Sequence, residues 1–223
     1  MTNSHSAAAL HRATVRRLRL AERHLSAAHP VFDELIRTVG RCTLRPAPDL
    51  FQALVSTVVS QQISVKAADS IVERLRRATG RHGLGPRGLL RCSEQSLRGC
   101  GLSAAKLRTL RELAQRVSDR RLRLDRLRSQ DDHAVAEALL PIPGIGPWSV
   151  QMILIFGLCR LDVLPVGDLG LRHGVSALFR MPKSLPPAQL EALAEPWRPY
   201  RTVATWYVWR SRRMKLPSDS NGD

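Results

Sequence analysis

The chain has 223 residues, of which 43% are apolar and 24% charged, and its 35 Lys or Arg against 19 Asp or Glu give a formal net charge of +16. A chain of this size and composition buries a core as one large domain or two small ones, which sets aside disorder over most of its length. No run approaches the roughly 20 apolar residues of a membrane helix and the N-terminus lacks the apolar core of a secretory signal, so membrane-spanning and secreted readings are set aside as well.

Taken in order, residues 1–28 read as a flexible N-terminal segment, with little apolar content before Leu18, Leu20 and Leu25. A helix is predicted over about 31–39. The run Arg45, Pro46, Ala47, Pro48, Asp49 is a linker ending at a helix cap, because Pro48 cannot continue a helix and the Asp49 carboxylate accepts free N–H groups. Apolar pairs then recur in steps of four at Leu50/Phe51, Leu54/Val55 and Val58/Val59, on one helical face. Ser64 caps a second helix carrying Ala67/Ala68, Ile71/Val72 and Leu75, and the cluster Gly80, Gly83, Gly85, Pro86, Gly88 reads as a loop. Ser103 caps a helix burying Leu107, Leu110, Leu113, Ala114 and Val117, and a short helix runs from Asp132 to Leu140. Further helices are predicted from Pro147 to Phe156, Leu169 to Phe179, Pro187 to Ala194 and Pro199 to Arg210. No alternating stretch demands a strand, so the fold class is all-α.

Arginine dominates the positive charge. A surplus of this size suits a polyanion, since each neutralised phosphate releases counterions and the planar guanidinium matches phosphate geometry. An arginine-rich codon bias with solvated side chains accounts for the same count, so charge alone leaves the partner open. The cysteines, Cys42, Cys92, Cys100 and Cys159, form no CxxC pair. A zinc ribbon and an iron–sulfur cluster are therefore not expected, and all four read as reduced structural residues.

The segment richest in chemical information is Leu139-Leu140-Pro141-Ile142-Pro143-Gly144-Ile145-Gly146-Pro147-Trp148-Ser149-Val150. Two glycines flanking one aliphatic residue allow a tight turn between helices, both being free to take positive φ, and they let a phosphate reach backbone N–H groups. Pro147 opens the following helix, whose positive dipole end meets the same anion. Outward-tilted carbonyls in such a turn, those of Leu140, Ile142 and Ile145, can hold a monovalent cation. An ordinary αα-hairpin turn explains the segment equally well.

Twenty residues beyond Trp148 stands Asp168, in Val166-Gly167-Asp168-Leu169-Gly170-Leu171-Arg172. The hairpin paired with that aspartate resembles the helix-hairpin-helix DNA glycosylase superfamily, and within it the DNA-3-methyladenine glycosylase II type. Val59-Ser60-Gln61-Gln62-Ile63-Ser64-Val65-Lys66 and Trp197-Arg198-Pro199-Tyr200-Arg201 through Trp209 agree with it, so the resemblance covers about residues 30–213. It implies two helical subdomains, one of residues 29–46 with 141–213 and one of residues 47–140, with the hairpin at the cleft between them. Residues 214–223 read as a disordered tail. An extra N-terminal β-rich domain, carried by some bacterial members, is not expected.

The resemblance also implies roles. Asp168 is the catalytic carboxylate: breaking an N-glycosidic bond builds positive charge on the sugar, which a carboxylate stabilises. A pre-helix Asp is also an N-cap, and the two roles can coexist. Members that also cut the backbone carry a lysine where this chain has Trp148, so water is the nucleophile and the enzyme is monofunctional, without lyase activity. Trp148, Trp209 and Met152 line the site for a base swung out of the duplex, Met152 standing where some relatives have tyrosine. Eight of the ten aromatic residues fall at or after Trp148. Gln62 sits where relatives insert a wedge into the gap left in the stack, and Pro143, Gly144, Ile145 and Gly146 grip the DNA backbone. Lys66, Arg172 and His173 are further cleft candidates, although solvated surface suits each of them better. No cofactor is required beyond an optional structural monovalent cation. The implied partner is double-stranded DNA carrying a damaged base, bound by a monomer in a bacterial cytoplasm at the nucleoid, with no membrane. Alternatives are a glycosylase of this superfamily for other damaged bases, or a non-enzymatic DNA-binding module.

Overall fold

The computed structural model describes residues 2–181 and 185–214, with side chains from residue 12 onward except that of residue 213. Thirteen α-helices and no strand occur among the described residues. They are α1 (Thr2–Ala28), α2 (Pro30–Val39), α3 (Leu50–Ser60), α4 (Val65–Thr79), α5 (Pro86–Arg91), α6 (Glu94–Gly99), α7 (Ala104–Ser118), α8 (Leu124–Leu127), α9 (Asp132–Leu139), α10 (Pro147–Met152), α11 (Leu169–Leu178), α12 (Pro187–Leu193) and α13 (Arg201–Met214). The caps lie where short polar side chains precede apolar runs: Asp49 accepts from the Gln52 amide at 3.0 Å, Ser64 from Ala67 at 3.3 Å and Ser103 from Lys106 at 3.3 Å. The glycine-rich stretch after Thr79 is less irregular than expected, because Pro86 and Ser93 start the short helices α5 and α6.

The chain forms two units, residues 46–158 in one and residues 1–45 with 159–223 in the other. In the first, α3 is almost wholly buried and packs against α4, α7 and the hairpin helices. A π-helical turn, Ile153–Gly157, prolongs α10 and closes with the Leu158 amide on the Ile153 carbonyl at 2.9 Å. Its last residue must be small, since a Cβ on Gly157 would lie 2.7 Å from Leu50 Cδ1. The Ala47 amide bonds the Gly157 carbonyl at 3.0 Å, tying this turn to the start of the unit. These contacts correct the boundary expected at residue 140. The hairpin and α10 belong with the central helices, because α10 packs on α9 and α3.

In the second unit α13 is the central post: Thr202, Val203, Ala204, Thr205, Tyr207 and Val208 are all fully buried. Helices α1, α2 and α11 surround it. Phe32, Phe179 and Trp197 form an aromatic cluster, with the Phe32 and Trp197 rings edge-to-face at 5.2 Å. Where a flexible segment is expected over residues 1–28, residues 2–28 are helical. They form α1, whose Leu18, Ala21 and Leu25 are buried. The arginines between these residues mask a helical period that is nonetheless present. Met214 ends α13, and the tail expected over 214–223 otherwise lies outside the described residues.

A buried polar node joins three segments of this unit. Glu22 of α1 accepts the Cys42 amide at 2.8 Å and the Arg41 guanidinium at 3.2 Å, and Tyr207 Oη lies 3.0 Å from both Glu22 Oε1 and the Gly40 carbonyl. Burial and the Glu22 carboxylate push the Tyr207 phenol above its ordinary range, so it stays protonated and able to donate. Burial pushes Cys42 up to about 12, and Cys159 and Cys100 are raised by the same cause. All four cysteines are free thiols, in keeping with a structural reading. Removing the hydroxyl leaves a buried acceptor without its donor, so Tyr207→Phe should cost about 1–2 kcal/mol in urea unfolding with an unchanged m-value.

Candidate active site and nucleic-acid interface

Asp168 ends a loop that is fastened to α13. Asp162 accepts two bonds from the Arg201 guanidinium, at 2.7 and 3.0 Å, and one from Arg198 at 3.0 Å. The Val163 amide donates to Thr202 Oγ1 at 2.9 Å, and the Asp168 amide donates to the Pro165 carbonyl at 2.9 Å. The loop thus delivers Asp168, half-buried, to the N-cap position of α11.

One oxygen of that carboxylate is held from two sides. Asp168 Oδ1 accepts the Leu171 amide at 2.6 Å and the Trp209 indole Nε1–H at 3.0 Å. The indole belongs to α13, the helix that also anchors the loop, so a single element sets both the aspartate and the tryptophan. Gly170 makes the approach possible, because a Cβ there would lie 2.9 Å from Asp168 Oδ1 and 3.6 Å from Trp209 Nε1. One turn on, a Cβ on Gly174 would lie 2.5 Å from Val208 Cγ1. The two glycines let α11 and α13 come close where the carboxylate must be gripped. The expected cap and the expected catalytic residue are therefore one group, and Trp209 touches that group through its polar edge.

In the other unit, the hairpin turn presents Pro143 and Gly144 to solvent while Ile142 and Ile145 are buried beneath it. Gly144 takes φ +86° and Gly146 takes φ −108° as N-cap of α10, so only one of the two uses the positive φ open to both. The Ile145 amide donates to the Ile142 carbonyl at 3.0 Å and is occupied inside the turn. The amides of Gly144 and Gly146 make no hydrogen bond among the described residues, which leaves those two as donors for an anion at the start of α10. The carbonyls of Leu140 and Ile145 likewise accept none among the described residues. Trp148 is half-buried in the first turn of α10, and Met152, one turn later, is buried.

The turn carrying Gln62 lies against this hairpin. Gln62 is exposed at φ +57°, between the exposed Ile63 and its neighbour Gln61. Gln61 points inward: its Nε2 donates to the Gly144 carbonyl and to Ser149 Oγ, both at 2.9 Å. Lys106 of α7 donates to the Val59 carbonyl at 2.7 Å and the Gln61 carbonyl at 2.9 Å, capping the end of α3, and desolvation pulls its ammonium below the usual lysine range. Thr109, one turn along α7, sits directly under Gly144. The two turns are thus one piece, with α7 as their common backing. Sequence reasoning missed Gln61, Lys106 and Thr109, since nothing in a Gln-Gln pair tells which amide faces inward. Of the weaker candidates, Arg172 donates to the Leu185 carbonyl at 2.7 Å, and Lys66 and His173 are exposed. No group of three or more His, Cys, Asp or Glu among the described residues could hold a metal ion.

The family follows. Residues 55–199 match the HhH-GPD superfamily of base excision DNA repair proteins, and the chain belongs to that family. Among curated relatives, it is 32% identical over 206 residues to DNA-3-methyladenine glycosylase 1 of Schizosaccharomyces pombe, covering 87% of each chain. The solved structure of that yeast's 3-methyladenine DNA glycosylase in complex with abasic DNA superposes with a TM-score of 0.78 at 32% identity, over 86% of this chain and 96% of the other. A DNA-3-methyladenine glycosidase from Bacillus halodurans gives 0.70 at 35% identity, over 84% and 86%.

A Cβ on Gly144 would land on Thr109 Oγ1 and would also hold a left-handed φ, whereas none of the described atoms lies within 4 Å of a Cβ on Gly146. Thermal melts should therefore show Gly144→Ala losing at least about 2 kcal/mol and Gly146→Ala staying within about 1 kcal/mol of the parent.

Proposed function

We propose that the chain is a monofunctional DNA glycosylase that hydrolyses the N-glycosidic bond of alkylated bases, 3-methyladenine and 7-methylguanine among them, at the start of base excision repair. The observation that carries this reading is the Asp168 carboxylate, oriented by the Leu171 amide and the Trp209 indole at the head of α11. As the bond between C1′ and the base lengthens, positive charge builds on the sugar, and a negative group held in one orientation stabilises it with no reorganisation at the moment of reaction. Water then adds to C1′, its proton passes to solvent or the carboxylate, and the base departs. A base alkylated on a ring nitrogen is cationic and leaves as a neutral molecule, so the reaction needs no general acid.

The aromatic residues suit the same substrate. A cationic base is attracted to an indole face by about 0.5–2 kcal/mol, which gives Trp148 and Trp209 their role, with Met152 as apolar backing. The relatives named as 3-methyladenine glycosylases support this lesion class. In duplex DNA the target base is paired and must be swung out, and Gln62 at its exposed turn is the wedge that fills the gap. The Gly144 and Gly146 amides, with the dipole of α10, hold a backbone phosphate. The carbonyls of Leu140, Ile142 and Ile145 fit a monovalent cation, which would add positive charge beside that phosphate. The protein acts as a monomer on double-stranded DNA, in the cytoplasm.

Purified protein incubated with methylated duplex DNA should release free methylated bases, identified by chromatography. Asp168→Asn should bind abasic-site DNA as before yet release base at least about 100-fold more slowly. Normal release by that variant removes Asp168 from the mechanism.

The hairpin helix Pro147–Met152 carries no lysine, and the resemblance puts Trp148 where members that cut the backbone carry one. Borohydride added during turnover should therefore trap no protein–DNA adduct, and the abasic strand should stay intact until alkali is added. A trapped adduct would overturn the monofunctional reading.

A further inference from the structure

The arginines of α1 are left unexplained by the site. Arg12, Arg16, Arg19 and Arg23 follow one another at spacings of four, three and four, which places all four on one face of the helix. That face is the solvent side: the four arginines are exposed, while Leu18, Ala21, Glu22 and Leu25 on the opposite face are buried. The helix lies outside the stretch matched by the family, residues 55–199.

No carboxylate among the described residues pairs with this row, although four arginines follow one another along it. Several exposed arginines elsewhere do stand beside acids, as in Arg37 with Asp33 at 3.2 Å, Arg77 with Glu73 at 3.1 Å, Arg123 with Asp125 at 2.9 Å and Arg198 with Glu195 at 2.9 Å. The one carboxylate of α1, Glu22, is turned inward onto the Cys42 amide and Arg41. None of the four arginines makes an ion pair or hydrogen bond among the described residues. Four like charges on successive turns repel one another, and no carboxylate among the described residues pairs with them. From Arg12 to Arg23 the row spans about 16 Å at 1.5 Å per residue, which matches about five base pairs of one DNA strand at 3.4 Å each.

We infer that this face of α1 is a second DNA-binding surface, gripping the phosphate backbone of undamaged duplex without reading sequence. The inference rests on the proposed function for its choice of polyanion, but its test does not require base release. A surface of this kind supplies salt-dependent, non-specific affinity and leaves the chemical step alone.

The test compares two full-length variants of equal net charge. In one, Arg12, Arg16, Arg19 and Arg23 are replaced by Gln, a good helix former; in the other, the ion-paired Arg37, Arg98, Arg121 and Arg123 are replaced by Gln. Circular dichroism melts check that both are folded. Binding to an undamaged 20-base-pair duplex is then measured across a salt series. The α1 variant should flatten the slope of log K against log[salt] by about 3–4, at roughly 0.9 per lost phosphate contact, and the comparator by less than about 1. On methylated DNA the α1 variant should raise KM and keep kcat. Equal slope changes in the two variants, no change in either, or a loss of binding confined to phosphatidylserine vesicles would each overturn the inference. Failure of the wild-type protein to release methylated bases would instead sink the proposed function, and the salt slopes would still decide the role of α1.

Discussion

The carboxylate at the head of α11 is held still largely by a helix other than its own. Asp168 accepts its cap bond from α11 and a second bond from the Trp209 indole of α13, both on the same oxygen. The arrangement depends on how closely α11 and α13 pack, and Gly170 and Gly174 supply the space. It depends equally on the loop before Asp168, which Asp162, Arg198 and Arg201 moor to the first turn of α13. Change the seat of α13 and both constraints on the aspartate move together. That is why the most buried helix of its unit also carries Trp209.

The other unit solves a different problem with the same economy of parts. There, two exposed turns are kept at one spacing. Gln61 bridges the turns by donating to the Gly144 carbonyl and Ser149 Oγ, and Lys106 and Thr109 of α7 stand behind one turn each. An ammonium drawn partly out of water is costly, and two backbone carbonyls at the end of α3 compensate it. Charge on the surface is organised as well. Several exposed arginines sit beside an acid, whereas the row on α1 does not, and like charges along one helix face suit a polyanion.

Much of this protein is determined by local rules that act along the chain. Amphipathic spacing and short polar caps specify most of the helices, so α3, α4 and α7 could be read from Asp49, Ser64, Ser103 and their apolar partners. The glycine-flanked turn and the aspartate before a helix were legible as a tight turn and a cap, because each requires particular residue types at particular positions. Local rules were weakest where charge obscured period. The arginines of α1 hid a packed helix, and the boundary between the units fell at residue 158 because α10 packs on α3 and α9, a long-range preference with no local sign.

Only the tertiary structure decided which side chains meet. That Trp209 offers its N–H to Asp168, that Gln61 turns inward while Gln62 faces solvent, and that Gly144 alone of the hairpin glycines needs a left-handed backbone all follow from how helices distant in sequence approach one another. Hydrophobic period constrains each helix to a face and a length. Which atoms lie 3 Å apart across two helices is set by the volumes packed between them, a property of the whole core that no single segment contains.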